Sequence, residues 1–199
     1  LFFDFVRILN EIKPKYFLLE NVKMKKEHEV VISRYLNIEP ILINSSLLSA
    51  QNRERNYWTN IMNSKDLFGL NVCNIPQPKD NNLYLKDVIQ PVCEVDNKYF
   101  LSEKMINYLK LETSCFQRSF NPKNINEKSY CLTKNEGNAR TSNFIYQNDK
   151  LRKLTTIEIE RLQTVPDNYT NFVSETQRRR MLGNGMTIDI IAYILKFMK

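Results

Sequence analysis

The rhythm of apolar residues over the first sixty positions constrains this chain more than any other feature. Phe2, Phe5, Val6, Leu9 and Ile12 recur at helical spacing, and Pro14 marks the end of that segment. Tyr16 to Leu19 is a short continuous apolar run, the pattern of a buried parallel strand. Lys25 to Tyr35 reads as a charged surface helix, and Pro40 to Leu48 and Arg55 to Ile61 read as two more strands. This alternation predicts an α/β arrangement with the strands in one sheet. Three strands and their helices are too few for an independent doubly wound sheet, because one edge stays open and one face stays bare. The expectation is that further polypeptide, N-terminal to these elements, completes the layer. The first residue is Leu1 rather than Met, as in a fragment, a tagged chain or a processed one.

The character changes after about Asn63. Residues 64–150 contain Pro76, Pro78 and Pro91, many Asn, and short strand-like pieces such as Ser129 to Thr133, with one helix candidate at Ser102 to Leu111. They read as a separate, loop-rich lobe. From Leu154 the helical signal returns, with Thr155 and Glu158 forming a Thr-x-x-Glu capping box ahead of Leu162. The last segment, Thr187 to Met198, places Ile188, Ile191, Ala192 and Leu195 on one face. The predicted organisation is therefore 1–63, 64–150 and 151–199.

Composition narrows the partners. A hydrophobic content of 42% argues against wholesale disorder. The formal charge is +7, and between Thr113 and Lys153 eight Lys or Arg stand against three Asp or Glu. That balance suits a polyanion and equally suits a solvated face. Cys73, Cys93, Cys115 and Cys131 form no Cys-x-x-Cys pair and His28 is the only histidine, so no metal site is expected. The cysteines read as small buried or half-buried side chains. With no signal-peptide pattern and no apolar run of membrane-spanning length, the expected setting is cytoplasmic, with free thiols and no membrane partner.

Two short motifs carry candidate chemistry. Leu19-Glu20-Asn21-Val22 closes the first apolar run, and open α/β sheets bind ligands at the carboxyl ends of their strands. A helix-capping or loop-stabilising acid would look the same. Gln51-Asn52-Arg53-Glu54-Arg55 precedes a strand, and alternation puts Arg53 and Arg55 on one face. Two such arginines can clamp a phosphate or a base oxygen, or simply salt-bridge a strand end.

Taken with the rest of the chain, these motifs resemble the cytosine-5 methyltransferase family. Glu20-Asn21-Val22 resembles its sixth conserved motif, and Gln51-x-Arg53-x-Arg55, about thirty residues later, its eighth. Arg152-Lys153-Leu154-Thr155 through Glu158, Arg161-Leu162-Gln163 and Pro166 is similar to the ninth, and Leu182-Gly183-Asn184-Gly185 to the tenth. Leu1-Phe2-Phe3-Asp4 resembles the tail of the fifth. Five motifs in order span almost the whole chain, and the ninth is the most specific.

The resemblance implies a fold and a set of roles. The fold would be the C-terminal portion of a Rossmann-like S-adenosyl-methionine-dependent methyltransferase domain plus a small β-containing target-recognition domain at 64–150. Residues 151–199 would return to the catalytic domain. The family attacks C6 of cytosine with a cysteine thiolate, which makes C5 nucleophilic toward the methyl of S-adenosyl-methionine. Glu20 matches the acid that engages N3, Asn21 would hold the local backbone, and Arg55 with Arg53 would hold the base oxygen and nearby backbone. The base must leave the helix, because its reacting atoms are stacked inside it. Asn184, Gly183, Gly185 and Leu1 match cofactor contacts. Gln51, Arg152, Lys134, Asn138, Arg140 and Thr141 are the DNA-contact candidates; for the last three and Gly137, a plain surface loop is the competing reading. Arg178, Arg179 and Arg180 read as a solvated helix face before a DNA contact.

The family's Pro-Cys-Gln motif has no counterpart here. No cysteine is followed by Gln, and all four follow Glu20 although the family's nucleophile precedes it. The glycine-rich cofactor loop is also absent from the first sixty residues. The expected partners are duplex DNA and an N-terminal half, in the same chain or as a separate subunit. The isolated chain is expected to be inactive, and the setting to be a bacterial or phage restriction-modification system. The competing readings are a non-catalytic DNA-binding or partner subunit and an RNA cytosine methyltransferase.

Overall fold

The computed structural model describes residues 1–110, 120–138 and 142–199. They fall into two compact units. The first comprises Leu1–Asn44, Glu54–Pro78 and Ile190–Lys199, and the second Ser45–Arg53 and Lys79–Asp189. The chain thus divides near 78 rather than 63, and residues 151–189 belong with the loop-rich part.

The first unit holds α1 (Phe2–Ile12), β1 (Leu18–Val22), α2 (Lys26–Leu36), β2 (Ile41–Asn44) and β3 (Glu54–Thr59). The three strands form one sheet in the order β1-β3-β2, with β3 antiparallel to both neighbours. This corrects the expected parallel strands. The segment joining β2 to β3 is shorter than the dozen or so residues that a parallel crossover needs, so the chain returns antiparallel. On one face, Trp58 packs with Ile32, Leu36 and Ile38 of the α2 region and with Phe2, Phe5, Val6 and Leu9 of α1. Its indole donates a hydrogen bond to Ser33 Oγ at 3.0 Å. Both helices end on a left-handed residue, Lys13 and Asn37, whose backbone N–H caps the last turn. An antiparallel hairpin follows, β4 (Asn63–Lys65) with β5 (Asn71–Cys73). Asp66 fixes its tip by accepting from the backbone N–H groups of Phe68 and Leu70.

The second unit contains α3 (Glu103–Lys110), β6 (Lys123–Asn124), β7 (Phe144–Gln147), β8 (Lys150–Lys153), α4 (Thr156–Leu162) and α5 (Glu175–Asn184). α6 (Ile188–Leu195) begins in this unit and continues into the first. The stretch Ser129 to Thr133, expected as strand, forms only an isolated bridge from Ser129 to Gln51. The pairing lies instead in the β7–β8 hairpin, closed by Asn148 and Asp149 at positive φ. The core of the unit is Ala50, Leu85, Leu132, Ile145, Leu154, Ile159, Leu162 and Leu182. No helix among the described residues is long and apolar enough to cross a membrane.

Candidate functional site

In the first unit, strand pairing brings Glu20 and Arg55 together. Register sets Val22 opposite Arg55 and Tyr57 opposite Glu20. Residues two apart share a face, so Glu20 and Arg55 are diagonal neighbours. Arg55 Nε lies 2.9 Å from Glu20 Oε1, and both side chains are about seven-eighths covered, at 12% and 15% exposure. The Oε1 atom is buried and accepts no hydrogen bond, so the contact is a charge pair without N–H alignment. Arg55 Nη1 also donates to Glu54 O at 2.8 Å, and Lys23 pairs with Glu54 at 2.9 Å. Asn21 turns its Oδ1 onto the Val22 N–H at 2.8 Å.

Arg53 has a different task from Arg55. It precedes the first residue of β3 and belongs to the second unit. Only 3% exposed, it donates from Nη1 to Leu132 O at 3.0 Å and from Nη2 to Gly185 O at 2.7 Å. Gln51 is fully buried beside it, donating to Leu162 O at 3.0 Å and accepting from Leu132 N at 2.9 Å. Gln163, also fully buried, donates to Leu182 O at 2.5 Å and accepts from Thr187 Oγ1 at 2.9 Å. These three side chains tie the carbonyls of three segments together. Buried polar groups are costly unless satisfied, and here they satisfy one another's backbone.

Arg152 sits in a second buried network. Its Nη1 and Nη2 form a bidentate pair with Glu158 at 2.8 and 2.6 Å, with both side chains at 0% exposure. Its Nε donates to Gln147 Oε1 at 2.6 Å. Glu158 also accepts from Gln90 N and Thr155 N, each at 2.8 Å. Gln51 and Arg152 were expected to touch DNA, and the structure corrects both: their polar atoms serve the interior.

Other candidates are placed as follows. Lys134 and Asn138 are exposed on the turn that follows Leu132. Arg140 and Thr141 lie outside the described residues, as do Cys115 and Arg118. Buried Glu136 holds the base of the turn by accepting from Asn143 N at 2.6 Å and Asn143 Nδ2 at 3.0 Å. Lys153 Nζ donates to Gly137 O at 2.9 Å. Burial, with the Arg179 charge nearby, pushes the Lys153 ammonium pKa down. Arg178 pairs at 2.9 Å with Glu160, which is fully buried. Burial pushes the Glu160 carboxyl up, but hydrogen bonds from Thr170, Arg178 and Asn168 more than reverse this, leaving its pKa below the ordinary value. Of the three arginines expected on a solvated face, only Arg180 is exposed. Cys73 and Cys131 are half-buried, but Cys93 is exposed, against expectation.

The residues expected at the cofactor divide. A Cβ on Gly183 would sit 2.1 Å from Thr133 O, so backbone packing accounts for that glycine. Gly185 N caps α5 by donating to Met181 O at 2.8 Å. Asn184 is exposed between them, and Leu1 is exposed. Gly183 and Gly185 thus serve the fold, whereas the side chains of Asn184 and Leu1 are left exposed. The buried roles of Gln163 and Glu160 were missed in the sequence. Each sits one residue before or after the apolar Ile159, Leu162 stripe of α4, which is the signal that could have placed them inside.

The whole chain, residues 1–199, matches the family model of the C-5 cytosine-specific DNA methylases. The Type II methyltransferase M.NlaX of Neisseria lactamica is 32% identical over 217 residues, covering 100% of this chain and 67% of that protein. The Type II methyltransferase M1.ScrFI of Lactococcus lactis subsp. cremoris is 30% identical, covering 100% of this chain and 55% of that protein. The chain thus spans between about half and two thirds of the length of these curated relatives. The crystal structure of Spodoptera frugiperda DNMT2 has the same fold, with a TM-score of 0.69 and 22% identity over 99% of this chain and 70% of that one. The chain belongs to the C-5 cytosine-specific DNA methylase family.

Proposed function

We propose that this chain is the base-holding, DNA-reading part of a cytosine-5 DNA methyltransferase in a bacterial or phage modification system. The observation that carries the reading is the Glu20–Arg55 pair. A nearly covered carboxylate whose Oε1 is charge-paired to Arg55 but accepts no aligned hydrogen bond is costly for a fold to keep. It makes sense as a group reserved for a ligand. In this role Glu20 engages N3 of the flipped cytosine and stabilises positive character in the ring as C6 is attacked, a contribution worth about 10²–10⁴ in rate. Arg55 orients Glu20 and reaches toward the base oxygen. Asn21 fixes the backbone where β1 ends.

The methyl donor is S-adenosyl-methionine, which supplies an electrophilic methyl for C5. Asn184 and Leu1 are the contacts this chain offers it. The cysteine nucleophile and most of the cofactor site come from further polypeptide, in the same chain or as a separate subunit. Support for such a partner comes from the first unit itself. β1 is an edge strand, and α1 has no buried residue although it is rich in apolar ones. A groove of about 260 Å³ lies against them, lined by Phe5, Ile8, Leu9, Ile12, Pro14, Tyr16, Phe17 and Leu18. An open edge with an apolar groove beside it favours a covering layer.

The test is methyl transfer from labelled S-adenosyl-methionine to duplex DNA. The chain is assayed alone and together with the polypeptide carrying the glycine-rich loop and Pro-Cys-Gln. Activity only in combination, lost by about 10²–10⁴ in Glu20→Gln with DNA affinity little changed, is the expected result. Near-normal turnover in Glu20→Gln removes Glu20 from this role, and transfer to RNA but not DNA overturns the substrate.

A further inference from the structure

The loop after Leu132 is seated on α5 by a reciprocal fit of glycines. Glu175, Arg179 and Gly183 are spaced four apart and so form one stripe of the helix. Thr133 and Gly137 are also four apart, and the loop lays them along that stripe. A Cβ on Gly183 would lie 2.1 Å from Thr133 O, so helix and loop backbones touch there. One turn earlier the relation inverts: a Cβ on Gly137 would lie 2.4 Å from Arg179 Nη1 and 2.9 Å from its Cδ. Gly137 has φ +103°, which side-chain-bearing residues rarely adopt.

Arg179 is the least replaceable part of this seat. Its side chain is 11% exposed, its Nη2 is 3.6 Å from Glu175 Oε2, and its guanidinium lies 5.7 Å from the Tyr99 ring centroid. Glu175 is held in turn by Lys98 and by Tyr99 Oη, at 2.5 and 3.0 Å. The guanidinium is therefore fixed from behind while its front supports Gly137. Lys153 pins the same glycine through its carbonyl, and Ser142 Oγ accepts from its N–H at 2.8 Å. Asn138 and Lys134 are carried exposed on the loop so fixed.

We infer that Arg179 is a positioning residue for target recognition: it sets the conformation in which the 133–138 loop is presented to the nucleic acid. The inference rests on the proposed methyltransferase reading, since only that reading makes the loop a reader of bases. Arg179 does not touch the base itself. Removing it should therefore blur the choice of sequence and leave the chemical step nearly intact.

The experiment uses the complete active enzyme, this chain with the polypeptide that supplies the nucleophile. The preferred site is first mapped by methylating a randomised duplex library with the wild type. Arg179→Ala is then compared on the preferred duplex and on duplexes with one base pair changed, together with hydrogen exchange at the 133–138 amides. The expected result is a fall of tenfold or more in the ratio of kcat/KM for preferred over altered sites. The maximal rate on the preferred site should stay within about threefold, and the Gly137 amide should exchange faster. Arg179→Lys, which keeps the charge but not the planar packing surface, should fall between. Gly137→Ala serves as a second variant, attacking the same contact from the loop side. Unchanged discrimination with unchanged exchange in both Arg179→Ala and Gly137→Ala overturns the inference. So does faster exchange with discrimination intact. A wild-type enzyme that methylates nothing instead strikes at the functional reading; hydrogen exchange then still decides whether Arg179 holds the loop.

Discussion

Replacing Glu158 by Gln should be among the most destabilising single-atom changes available in this chain. Each carboxylate oxygen serves two donors: Oε1 takes Arg152 Nη2 and Gln90 N, and Oε2 takes Arg152 Nη1 and Thr155 N. Whichever way the amide turns, its NH₂ faces one guanidinium N–H and one backbone N–H. Two buried donors lose their acceptor, at about 1–3 kcal/mol each, and the Arg152 charge is left uncompensated at 0% exposure. Breaking a buried pair from one side costs about 3–5 kcal/mol, which agrees with the donor count. For a chain of this size, about 2–4 °C per kcal/mol converts that to a fall in Tm of about 6–20 °C, measurable by differential scanning calorimetry. Glu127→Gln is the control. Its partner Lys123 is 2.7 Å away, but Glu127 is nearly half exposed, so the change should cost less than about 1 kcal/mol. Equal small shifts in both variants would mean that water reaches the Arg152 guanidinium, and the scaffold role given to it here would be wrong.

Two further outcomes follow from packing and charge. Gly183→Ala would put a methyl 2.1 Å from the Thr133 carbonyl oxygen, where only backbone can yield; unfolding in urea should show a loss of about 1–3 kcal/mol, despite the better helix propensity of Ala. Glu160 has its folded pKa lowered, so its contribution is present above the unfolded carboxylate value of about 4.3 and is lost as pH falls through the folded value below it. The urea midpoints of wild type and Glu160→Gln should therefore differ clearly at pH 7 and converge as pH drops below about 4; a gap that is constant with pH would contradict the assignment.

Helical spacing was enough to locate α1 and α6, although α6 buries Ile190 and Ile194 rather than the face of Ile188, Ile191, Ala192 and Leu195; α2 was read from its charge. The capping box at Thr155 and Glu158 was legible too, and both reciprocal bonds are present. Strand direction was legible only in the short link between the second and third strands, which leaves no room for a parallel crossover, and not in the strands themselves. Alternation of side chains reads the same along a parallel or an antiparallel strand, so nothing in Arg55 to Ile61 could show that β3 runs against β1. The motif resemblance misled most at Arg152 and Gln51. A basic or amide side chain near a DNA-binding motif reads as a contact, and only the carboxylate six residues on, facing inward from α4, decides that Arg152 is internal. Likewise Arg53 and Arg55, two apart in sequence, part company because the strand begins between them. The Asn148-Asp149 turn was readable in principle, since both residue types tolerate the positive φ that a two-residue hairpin turn needs.

The reversal of β3 also separates the first unit into two poles. Arg55 enters the sheet at the end where Val22 leaves it, whereas Thr59 comes out beside Leu18. At about 3.3 Å per residue the two ends lie about 13 Å apart. The β4–β5 hairpin, with its exposed Leu67 and Phe68, leaves from the Thr59 end, whereas Glu20 sits midway along the pairing, opposite Tyr57. The tip is closed by its own Asp66 bonds and points Leu67 and Phe68 into solvent, so the Asp66–Gly69 turn is the natural place to graft a fluorophore or an affinity handle.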